Sequence, residues 1–365
     1  GTSVIAQITQ PSAPGVMSVL GACIRSVQIE DGGFDFVVDD LIYDPMTGPD
    51  TDLDGIIDAC DTEPITVNSV VDVPDAIPGN GVCDTGSVEG VATCSLRAAI
   101  QEANALGGGE ITLPDGAYAL TLVGAGEAAA ETGDLDITSA ITINGGGAAS
   151  TLIGGEGADR IFDVLSGASL DLSGVELMSG DAGLEDGGAV RNEGELLLTD
   201  SIVHFSSALY GGGIASGVVN TAATLTVSGS TINNNTAAVH GGGIYASGTT
   251  TVDTSAVLTN DAGDDGGGIA FQAILPQTLT VENTTIAGNS AFGAPGEGGG
   301  LWNWGSTATL RHVTIVNNAG TAAPPAIPVE TGGVYNTSTV RASHSIIASN
   351  TGQQCSSALA DLSFN

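Results

Sequence analysis

Aliphatic residues recur along this chain in two fixed patterns, and the first follows runs of glycine. It reads Gly-Gly-Gly-Ile or Gly-Gly-Gly-Leu in its strongest copies, with weaker copies on either side. The aliphatic positions are 24 to 33 residues apart: Val190, Ile214, Ile244, Ile269, Leu301 and Val334. A repeat of this length indicates a solenoid, in which each coil of the chain packs only on its neighbours.

The second pattern is Ile or Val followed three residues later by Asn. Its copies are Ile232/Asn235, Val257/Asn260, Ile286/Asn289, Ile315/Asn318 and Ile347/Asn350, with Val203/Ser206 as a degenerate first copy. We predict that the aliphatic residue points inward and that the chain then turns a corner. Asparagine tolerates the left-handed backbone that a corner needs. Stacked asparagines can also hydrogen-bond to one another along the solenoid axis.

Short runs of β-branched and aliphatic residues precede the second pattern and predict strands. They include Leu196–Leu198, Leu225–Val227 and Leu279–Val281. Coils built from such strands stack about 4.8 Å apart, and the glycine runs mark a second corner with positive φ or close backbone approach. The sequence therefore predicts an all-β fold, a parallel β-helix over residues 110–365. It is right-handed by the usual crossover preference, with the inward aliphatic residues in single file.

A helix is predicted at residues 94–105, just before the coils. Leu96, Ala99, Ile100 and Ala103 form an apolar stripe at helical spacing. Ser95 is suited to cap the first turn, and three glycines follow the run. We expect residues 64–109 to cap the open end of the solenoid, because an exposed terminal edge pairs readily with other chains.

Residues 48–63 contain a loop with the oxygen-ligand spacing of a calcium site. The predicted ligands are Asp50, Asp52, Asp54, the Ile56 carbonyl, Asp58 and Asp61. The loop resembles thrombospondin type 3 and dockerin-like repeats. Calcium here would stiffen the joint between two modules and take no part in chemistry. The alternative is a solvated acidic linker.

Residues 1–47 contain two strand-like runs, which do not make a stable domain by themselves. The run Phe34–Tyr43 resembles the last strand of secreted jelly-roll domains. That resemblance implies a β-sandwich-like strand pair whose remaining strands come from elsewhere in the protein or from a neighbouring molecule.

The cap and the first coil resemble a known group of proteins. Residues 79–83, the Cys94-Ser95-Leu96-Arg97-Ala98-Ala99-Ile100 run and residues 111–118 are similar to the CSLREA-type start of bacterial secreted right-handed β-helix proteins. Residues 355–359 resemble the start of the choice-of-anchor segment that many of these carry. The resemblance covers residues 66–365, with Ala98 in place of the motif's glutamate. It implies a secreted or cell-surface protein of the polymorphic outer-membrane or adhesin-like kind, and it implies no reaction.

The five cysteines bear on the cellular location. Cys83 and Cys94 bracket a short loop and are the best candidates for a disulfide, and Cys23 with Cys60 is a second candidate pair. Cys355 is then left over, and its partner is expected beyond residue 365 or on another chain. Disulfides would imply an oxidising, extracellular setting. The alternative is five buried thiols.

The charge balance limits the classes of partner. Six arginines and no lysine face 42 acidic residues, for a net charge of −36. Such a surface repels nucleic acid and anionic lipid and attracts cations. No apolar run is long enough to span a membrane. We therefore expect neither a nucleic-acid partner nor a membrane span.

No catalytic residue can be assigned from the sequence. Hydrolases of this fold use clustered aspartates, a Gly-His-Gly and an Arg-x-Lys, whereas here Asp264-Asp265 and His240 stand in the wrong order and lysine is absent. Arg311 is expected to pair across strands with Glu282, which is typically worth about 0.2–1 kcal/mol. We expect a non-enzyme, with Asp264, Asp265 and Glu297 as solvated corner residues.

Aromatic residues follow several of the glycine runs. Tyr245, Trp302 and Tyr335 share one register position, which strand alternation places outside, and Trp304 lies nearby. An exposed aromatic row suits contact with a glycan or another subunit. The alternative is local packing against the loops at residues 291–296 and 319–330.

Two further sets of polar residues have a simple interpretation. His312 and His344 share a corner position with Asp200, Thr254 and Asn283, which predicts either an exposed polar column or a metal site. Sequons for N-glycosylation occur at Asn234, Asn283 and Asn336.

The hypothesis favoured by these patterns is a non-enzymatic extracellular β-solenoid, a surface adhesin or a fibre-forming structural subunit. Its expected partners are copies of itself, other surface proteins or glycans. The alternatives are a carbohydrate-binding module that uses the aromatic row, or a polysaccharide lyase or hydrolase.

Overall fold

The computed structural model describes residues 64–86, 92–124, 126–218, 222–273, 277–293, 296–321 and 331–361. The chain divides into two compact units, one of residues 1–62 with 80–82 and one of residues 63–79 with 83–365. Apart from residues 80–82, the described residues all belong to the second unit. The strand pair at residues 1–47, the calcium loop at residues 48–63 and the Cys23–Cys60 pair lie outside the described residues and stay predictions.

The described residues of the second unit form a parallel β-helix, and their strands stack into four sheets. Sheet 1 has eleven strands: β1 Ile65–Thr66, β2 Gly108–Leu113, β5 Ala140–Gly145, β8 Ser169–Ser173, β11 Glu195–Thr199, β15 Thr224–Ser228, β19 Thr249–Asp253, β23 Thr278–Glu282, β27 Thr307–Arg311, β31 Thr339–Ser343 and β34 Ala360–Asp361. Sheet 2 has nine: β3 Gly116–Ala119, β6 Thr151–Gly154, β9 Glu176–Met178, β12 Ile202–His204, β16 Thr231–Asn233, β20 Ala256–Leu258, β24 Thr285–Ala287, β28 Thr314–Val316 and β32 Ile346–Ala348.

Two further sheets complete the described part of the β-helix, and the shorter one is present only in the middle coils. Sheet 3 has five very short strands: β13 Ser207–Ala208, β17 Thr236–Ala237, β21 Asp261–Ala262, β25 Ser290–Ala291 and β29 Ala319–Gly320. Sheet 4 follows the glycine runs and has nine strands: β4 Leu135–Ile137, β7 Phe162–Val164, β10 Val190–Asn192, β14 Ile214–Ser216, β18 Ile244–Ala246, β22 Ile269–Gln272, β26 Leu301–Trp304, β30 Thr331–Asn336 and β33 Gln353–Cys355.

The predicted single file of inward aliphatic residues is confirmed. In sheet 2, Ile232 pairs with Val257, which pairs with Ile286, and Ile286 pairs with Ile315. All four side chains are fully buried. The aliphatic residues after the glycine runs form a second buried file in sheet 4. Repetition of one pattern therefore builds a continuous core along the axis.

The asparagines of the second pattern form a buried amide ladder, as predicted. Asn260 Nδ2 donates to Asn289 Oδ1 and to the Ile232 carbonyl, both at 3.0 Å. Asn260 Oδ1 accepts from both N–H and Nδ2 of Asn235 at 3.0 Å. The same arrangement repeats down to Asn350, whose Nδ2 donates to Gln354 Oε1. Both polar atoms of each amide in this ladder are therefore hydrogen-bonded within the chain.

The prediction that these asparagines have a left-handed backbone is wrong, because the left-handed residue lies one position earlier. The residue before each Asn, or before Ser206 in the first copy, has positive φ instead: Phe205, Asn234, Thr259, Gly288, Asn317 and Ser349. That residue makes the turn, and at every position except Gly288 its side chain is exposed. The turn leaves the next side chain pointing inward, where the amide reaches its neighbours. The left-handed turn and the amide hydrogen bonds were both predicted for the asparagine. In the structure the turn belongs to the residue before it, and only the hydrogen bonds belong to the asparagine.

The glycine corner requires glycine for both of the predicted reasons, a backbone with positive φ and the close approach of neighbouring coils. The first glycine of a run takes the left-handed conformation, as at Gly241 with φ of 71°. The second glycine is needed for close approach. A Cβ on Gly242 would lie 2.5 Å from backbone atoms of Asp261 and of Gly267 in the next coil. A side chain at this second position would push the coils apart.

A second ladder, which the sequence patterns did not reveal, stabilises the corner between sheets 1 and 2. The Ser201 N–H donates to Ser230 Oγ at 3.0 Å, and the Ser230 N–H donates to Ser255 Oγ at 3.1 Å. Each hydroxyl also donates to a carbonyl two residues earlier in its own coil. These buried hydroxyls satisfy backbone groups that would otherwise be unpaired at the corner.

The predicted capping helix is present as α1, Leu96–Ala105. Ser95 caps it, and the Ser95 Oγ accepts a hydrogen bond from Ala98 N at 3.0 Å. The apolar stripe is buried, and the helix contacts β2, β4 and β5 of the first coils. Arg97 is also fully buried, where its Nε lies 2.6 Å from Asp72 Oδ1. The helix therefore covers the core at one end of the solenoid.

The predicted disulfide between Cys83 and Cys94 is confirmed, and the expected partner of Cys355 stays a prediction. Cys83 and Cys94 form a disulfide, with an S–S distance of 2.00 Å. Cys355 is free within the part of the chain that the structure describes, and it is half-buried on β33. None of the described helices is both long and apolar enough to cross a membrane.

Candidate functional site

The outer face of sheet 4 carries the ionisable and aromatic groups that are candidates for function. One outward-facing residue from each of the first eight strands lies in a single column, in the order Asp136, Asp163, Arg191, Ala215, Tyr245, Ala270, Trp302 and Tyr335. A second column, at the glycine corner, contains Asp186, Tyr210, His240, Asp265 and Glu297. The face is therefore acidic over its first coils and aromatic over its last.

The acidic end is a cleft of about 830 Å³, here called the acidic cleft. Its floor includes Asp134, Asp136 and Asp163, which are all buried. The candidate ligand oxygens of these three residues lie within 4.8 Å of one another. Asp134 and Asp136 lie on either side of Leu135 at the start of β4, and Asp163 is the partner of Asp136 on β7. Alternation along the strand and pairing between strands thus place three carboxylates on one face.

Two arginines form ion pairs with these carboxylates. Arg160 is 5% exposed, and its Nε lies 3.1 Å from Asp134 Oδ2. Its Nη1 lies 3.7 Å from Asp163 Oδ2, and its Nη2 contacts the Glu185 carboxylate. Arg191 Nη1 lies 3.0 Å from Asp163 Oδ2. The arginines fix the orientation of two of the three carboxylates.

Burial raises the pKa values of two carboxyl groups in the acidic cleft. The pKa of Asp134 rises to about 8, although the charge of Arg160 partly opposes the effect of burial. The pKa of Asp136 rises to about 7, where a hydrogen bond from Ala130 N partly opposes burial. Carboxyl groups that titrate near neutral pH are found in acid–base and cation-binding sites and also in structural networks.

A second cluster lies at the glycine corner near the aromatic end. The ligand atoms of His240, Asp264 and Asp265 lie within 4.8 Å of one another. The Asp265 N–H donates to His240 Nδ1 at 3.2 Å, and Asp265 Oδ1 accepts from the Glu297 N–H at 2.9 Å. Burial raises the pKa of Asp265 to about 7 and lowers the pKa of His240. We call this group the corner cluster.

The expectation that Asp265 is a solvated corner residue is wrong. Its side chain is buried and the residue is only 8% exposed, because the preceding and following coils both bond to it. Asp264 and Glu297 are only partly exposed. Burial raises the pKa of Glu297 as well, and a hydrogen bond with Tyr335 partly opposes the rise. The residue order in the sequence did not show that consecutive coils bring these groups together.

Comparison with known families agrees with this geometry. The family model described as the right-handed β-helix region matches residues 180–362, half of the chain. This chain belongs to the right-handed β-helix family. No curated protein and no solved structure matches it. The match confirms the predicted parallel, right-handed winding. Because this fold serves both structural proteins and enzymes, it does not decide the function.

The matched part of this right-handed β-helix contains the amide ladder and the corner cluster. Asp134, Asp136 and Asp163 lie before it, in coils that lack both repeated patterns. Sequence reasoning missed this triad. A usable signal was present, because Leu135-Asp136-Ile137 and Phe162-Asp163-Val164 both place an aspartate between two apolar strand residues. An acidic residue at the same register on two coils marks one site on the outer face.

The aromatic residues of the β-helix occupy the predicted outward column, yet the prediction that the row is exposed is wrong for two of them. Tyr245 is 7% exposed and Trp302 is 6% exposed. His240 stacks on Trp302 with ring centroids 5.0 Å apart, and Trp304 stacks on Trp302 with ring centroids 6.5 Å apart. Trp304 itself is 40% exposed, and Tyr335 is partly exposed. Packing of the rings on one another therefore accounts for two of the four residues, and packing against the loops at residues 291–296 and 319–330 stays a prediction.

The remaining polar predictions concern exposed corners of the β-helix. His312 and His344 stack with ring centroids 5.0 Å apart and are exposed, as an exposed polar column requires. Both have positive φ, like the other residues of their column. Arg311 pairs with Glu282 as predicted, with Nη1 3.0 Å from Oε1. This exposed pair contributes little to stability.

The three sequons differ in accessibility. Asn234 and Asn283 are exposed, and glycosylation there stays a prediction. Asn336 is buried, and its Oδ1 accepts a hydrogen bond from Asn303 Nδ2 at 2.8 Å. Its own Nδ2, the atom a glycan would occupy, donates to the Ser338 carbonyl. The folded chain therefore does not present Asn336 for modification.

The corner cluster should make stability depend on pH. The folded pKa of Asp265 is about 7, against about 3.9 in an unfolded chain. Between these values the folded state holds a proton that the unfolded state releases, so stability falls as pH rises from about 4 to about 7. We expect Asp265→Asn to raise stability at pH 8 by up to a few kcal/mol, since one pKa unit is about 1.4 kcal/mol. Denaturant midpoints at pH 4.5 and 8 measure this.

An exposed corner aspartate provides the control for this pH effect. Asp200→Asn removes the same charge from an exposed position and should leave the pH dependence of the midpoint unchanged. The asparagine at position 265 can still accept the hydrogen bond from Glu297 N. Equal pH profiles for wild type and Asp265→Asn would contradict a buried, protonated Asp265.

Proposed function

We propose that this chain is a non-enzymatic, extracellular β-solenoid that acts as a structural or adhesive surface protein or as a fibre-forming subunit. The observation that carries the proposal is the unbroken register of neighbouring coils through the amide ladder. Such a ladder fixes the spacing of coils and makes a stiff rod. The resemblance of the cap to CSLREA-type surface proteins supports the same role, as does the Cys83–Cys94 disulfide.

The two ends of the described solenoid differ in what they contain. Helix α1 covers the core at one end. At the other end, β32, β33 and β34 are each the last strand of their sheets among the described residues. Cys355 on β33 is free in this part of the chain and lies at that same end.

Calcium at residues 50–61 belongs to this proposal. The ligand spacing of Asp50, Asp52, Asp54, Asp58 and Asp61 favours a calcium loop that stiffens the joint before the cap. The net charge of −36 also favours cation binding. Such a loop would support an extended rod at millimolar extracellular calcium, the range of extracellular modules.

Electron microscopy and polysaccharide assays on the same purified chain test the proposal. We expect rods that associate end to end or into fibres in calcium, and no cleavage of neutral or acidic polysaccharides. A Cys355→Ser variant should lose any association that depends on oxidation. Cleavage that is abolished by Asp264→Asn would contradict the non-enzymatic role and would favour a hydrolase or lyase at the corner cluster.

A glycan-binding role is a second candidate because Trp304 is exposed and stacked on Trp302. Their rings are nearly parallel, with an interplanar angle of 6°. An exposed indole offers a flat face to a sugar ring. Since Trp302 is buried, Trp304→Ala is the appropriate variant, and glycan-array binding that this variant loses would favour the second candidate. Tyr335→Phe, which keeps the neighbouring ring, is the matched control.

A further inference from the structure

The acidic cleft holds more negative charge than its arginines balance. Eight carboxylate residues and two arginines line it. Asp134, Asp136 and Asp163 are buried, with exposed fractions of 6%, 1% and 9% for the whole residues. Charges of one sign that are close together and withdrawn from water repel one another more strongly than at the surface. The cleft is therefore suited to a ligand that brings positive charge.

The three carboxylates are held on a rigid frame. Asp136 and Asp163 are paired neighbours on β4 and β7, and Asp134 directly precedes β4 on the same face. Their candidate ligand oxygens all lie within 4.8 Å of one another. Arg160 contacts Asp134 and Asp163 from one side, and Arg191 contacts Asp163 from the next coil. The arginines hold the carboxylates in place without reaching every oxygen.

One carboxylate oxygen in this group has no partner within the described chain. Asp163 is 9% exposed, and its Oδ1 makes no hydrogen bond to any described residue. Arg160 Nη1 faces the other oxygen of this carboxylate, 3.7 Å from Asp163 Oδ2, and does not reach Oδ1. A buried polar atom that stays unpaired costs free energy, so native structures nearly always provide a partner. Here the partner is expected to come from outside the chain.

We propose that Asp134, Asp136 and Asp163 bind a divalent cation of the calcium type, bridging the first two strands of sheet 4. All the offered ligands are carboxylate oxygens, which suit hard cations such as Ca²⁺ and not the softer metals that prefer nitrogen or sulfur. Arg160 and Arg191 are positioning residues that hold Asp134 and Asp163. The site is distinct from the predicted loop at residues 50–61 and does not depend on the proposed function.

Calcium binding to the full-length chain tests the site. The predicted loop is first weakened by Asp52→Asn with Asp54→Asn, and Ca²⁺ alone is titrated by isothermal calorimetry with equilibrium dialysis for the number of sites. We expect one site to remain in this background. Adding Asp136→Asn should remove it or weaken it by about tenfold or more, the scale of losses seen on disturbing a metal site. An amide at position 136 can still accept the hydrogen bond from Ala130 N.

A matched substitution separates a built site from general attraction to the acidic surface. Asp171 lies on the outer face of β8 in sheet 1, and Asp171→Asn removes one charge outside the acidic cleft. It should leave the remaining site unchanged. Calcium should also raise the unfolding temperature of the background chain and not of the Asp136→Asn chain. The proposal is overturned if the two variants weaken binding equally, or if the folded background chain binds no calcium.

Discussion

Asn289→Leu should destabilise the solenoid by at least about 4 kcal/mol, well above the usual effect of a single substitution. Leucine has nearly the shape of asparagine but cannot hydrogen-bond. The change would leave the N–H and Nδ2 of Asn260 without their acceptor, and the Val257 carbonyl without the Asn289 Nδ2 that now donates to it at 2.9 Å. Each buried group left unpaired costs about 1–3 kcal/mol.

Hydrogen exchange gives a more specific readout of this change than the unfolding midpoint. A long solenoid need not unfold in one step, so a midpoint alone averages over coils. The Asn260 amide bonds directly to Asn289 Oδ1 at 2.9 Å, and its exchange should accelerate before that of distant coils. Asn233→Leu, on the outer side of β16, is the control, because it removes the same polar group from a half-buried outward position. Slow exchange at Asn260 in the Asn289→Leu chain would refute the argument.

The core of this fold could be predicted from sequence because the same pattern of residues recurs in many successive coils. A single aliphatic residue three positions before an asparagine carries little information. Five copies of this pattern, spaced by the length of one coil, indicate that the copies stack on one another in successive coils. Repetition also fixed the register, so that Glu282 and Arg311 were expected to meet and do. The same repetition could not say which residue of the corner takes the left-handed conformation. Asn234 and Asn235 are both asparagine, and only the backbone separates the residue that turns from the residue that is buried.

The candidate sites could be predicted less well, for two physical reasons. Alternation along a strand shows which side chains point outward, but outward is not the same as exposed. Trp302 points outward and is buried, because His240 two coils earlier in the same face stacks on it. The acidic cleft was missed because its residues lie in the first coils, where neither repeated pattern occurs. There the only sign was an aspartate between apolar residues in β4 and again in β7.

Gly267→Ala should disrupt folding more than any change on the outer surface, although it adds a single methyl group. A Cβ at this position would lie 2.3 Å from the Ser290 carbonyl oxygen and 2.6 Å from the Ser290 nitrogen of the next coil. These are backbone atoms, so no side chain can rotate away. Coils about 4.8 Å apart are tied by parallel ladders on every side, so the clash cannot be relieved locally. We expect a loss of at least about 3 kcal/mol, at the upper end of overpacking effects.

The control for this effect is a second Gly→Ala substitution, at a glycine where an added methyl group meets no neighbouring atom. Gly183 has φ of 60°, and a Cβ built on it meets nothing within 4 Å. Gly183→Ala therefore bears only the left-handed backbone penalty of about 1–2 kcal/mol, whereas Gly267 has no positive φ and should suffer from contact alone. Denaturant midpoints and far-ultraviolet circular dichroism of the two variants separate these causes. If Gly267→Ala cost no more than Gly183→Ala, close approach between coils would not be the reason for the glycine runs, and their regular spacing along the chain would need another physical cause.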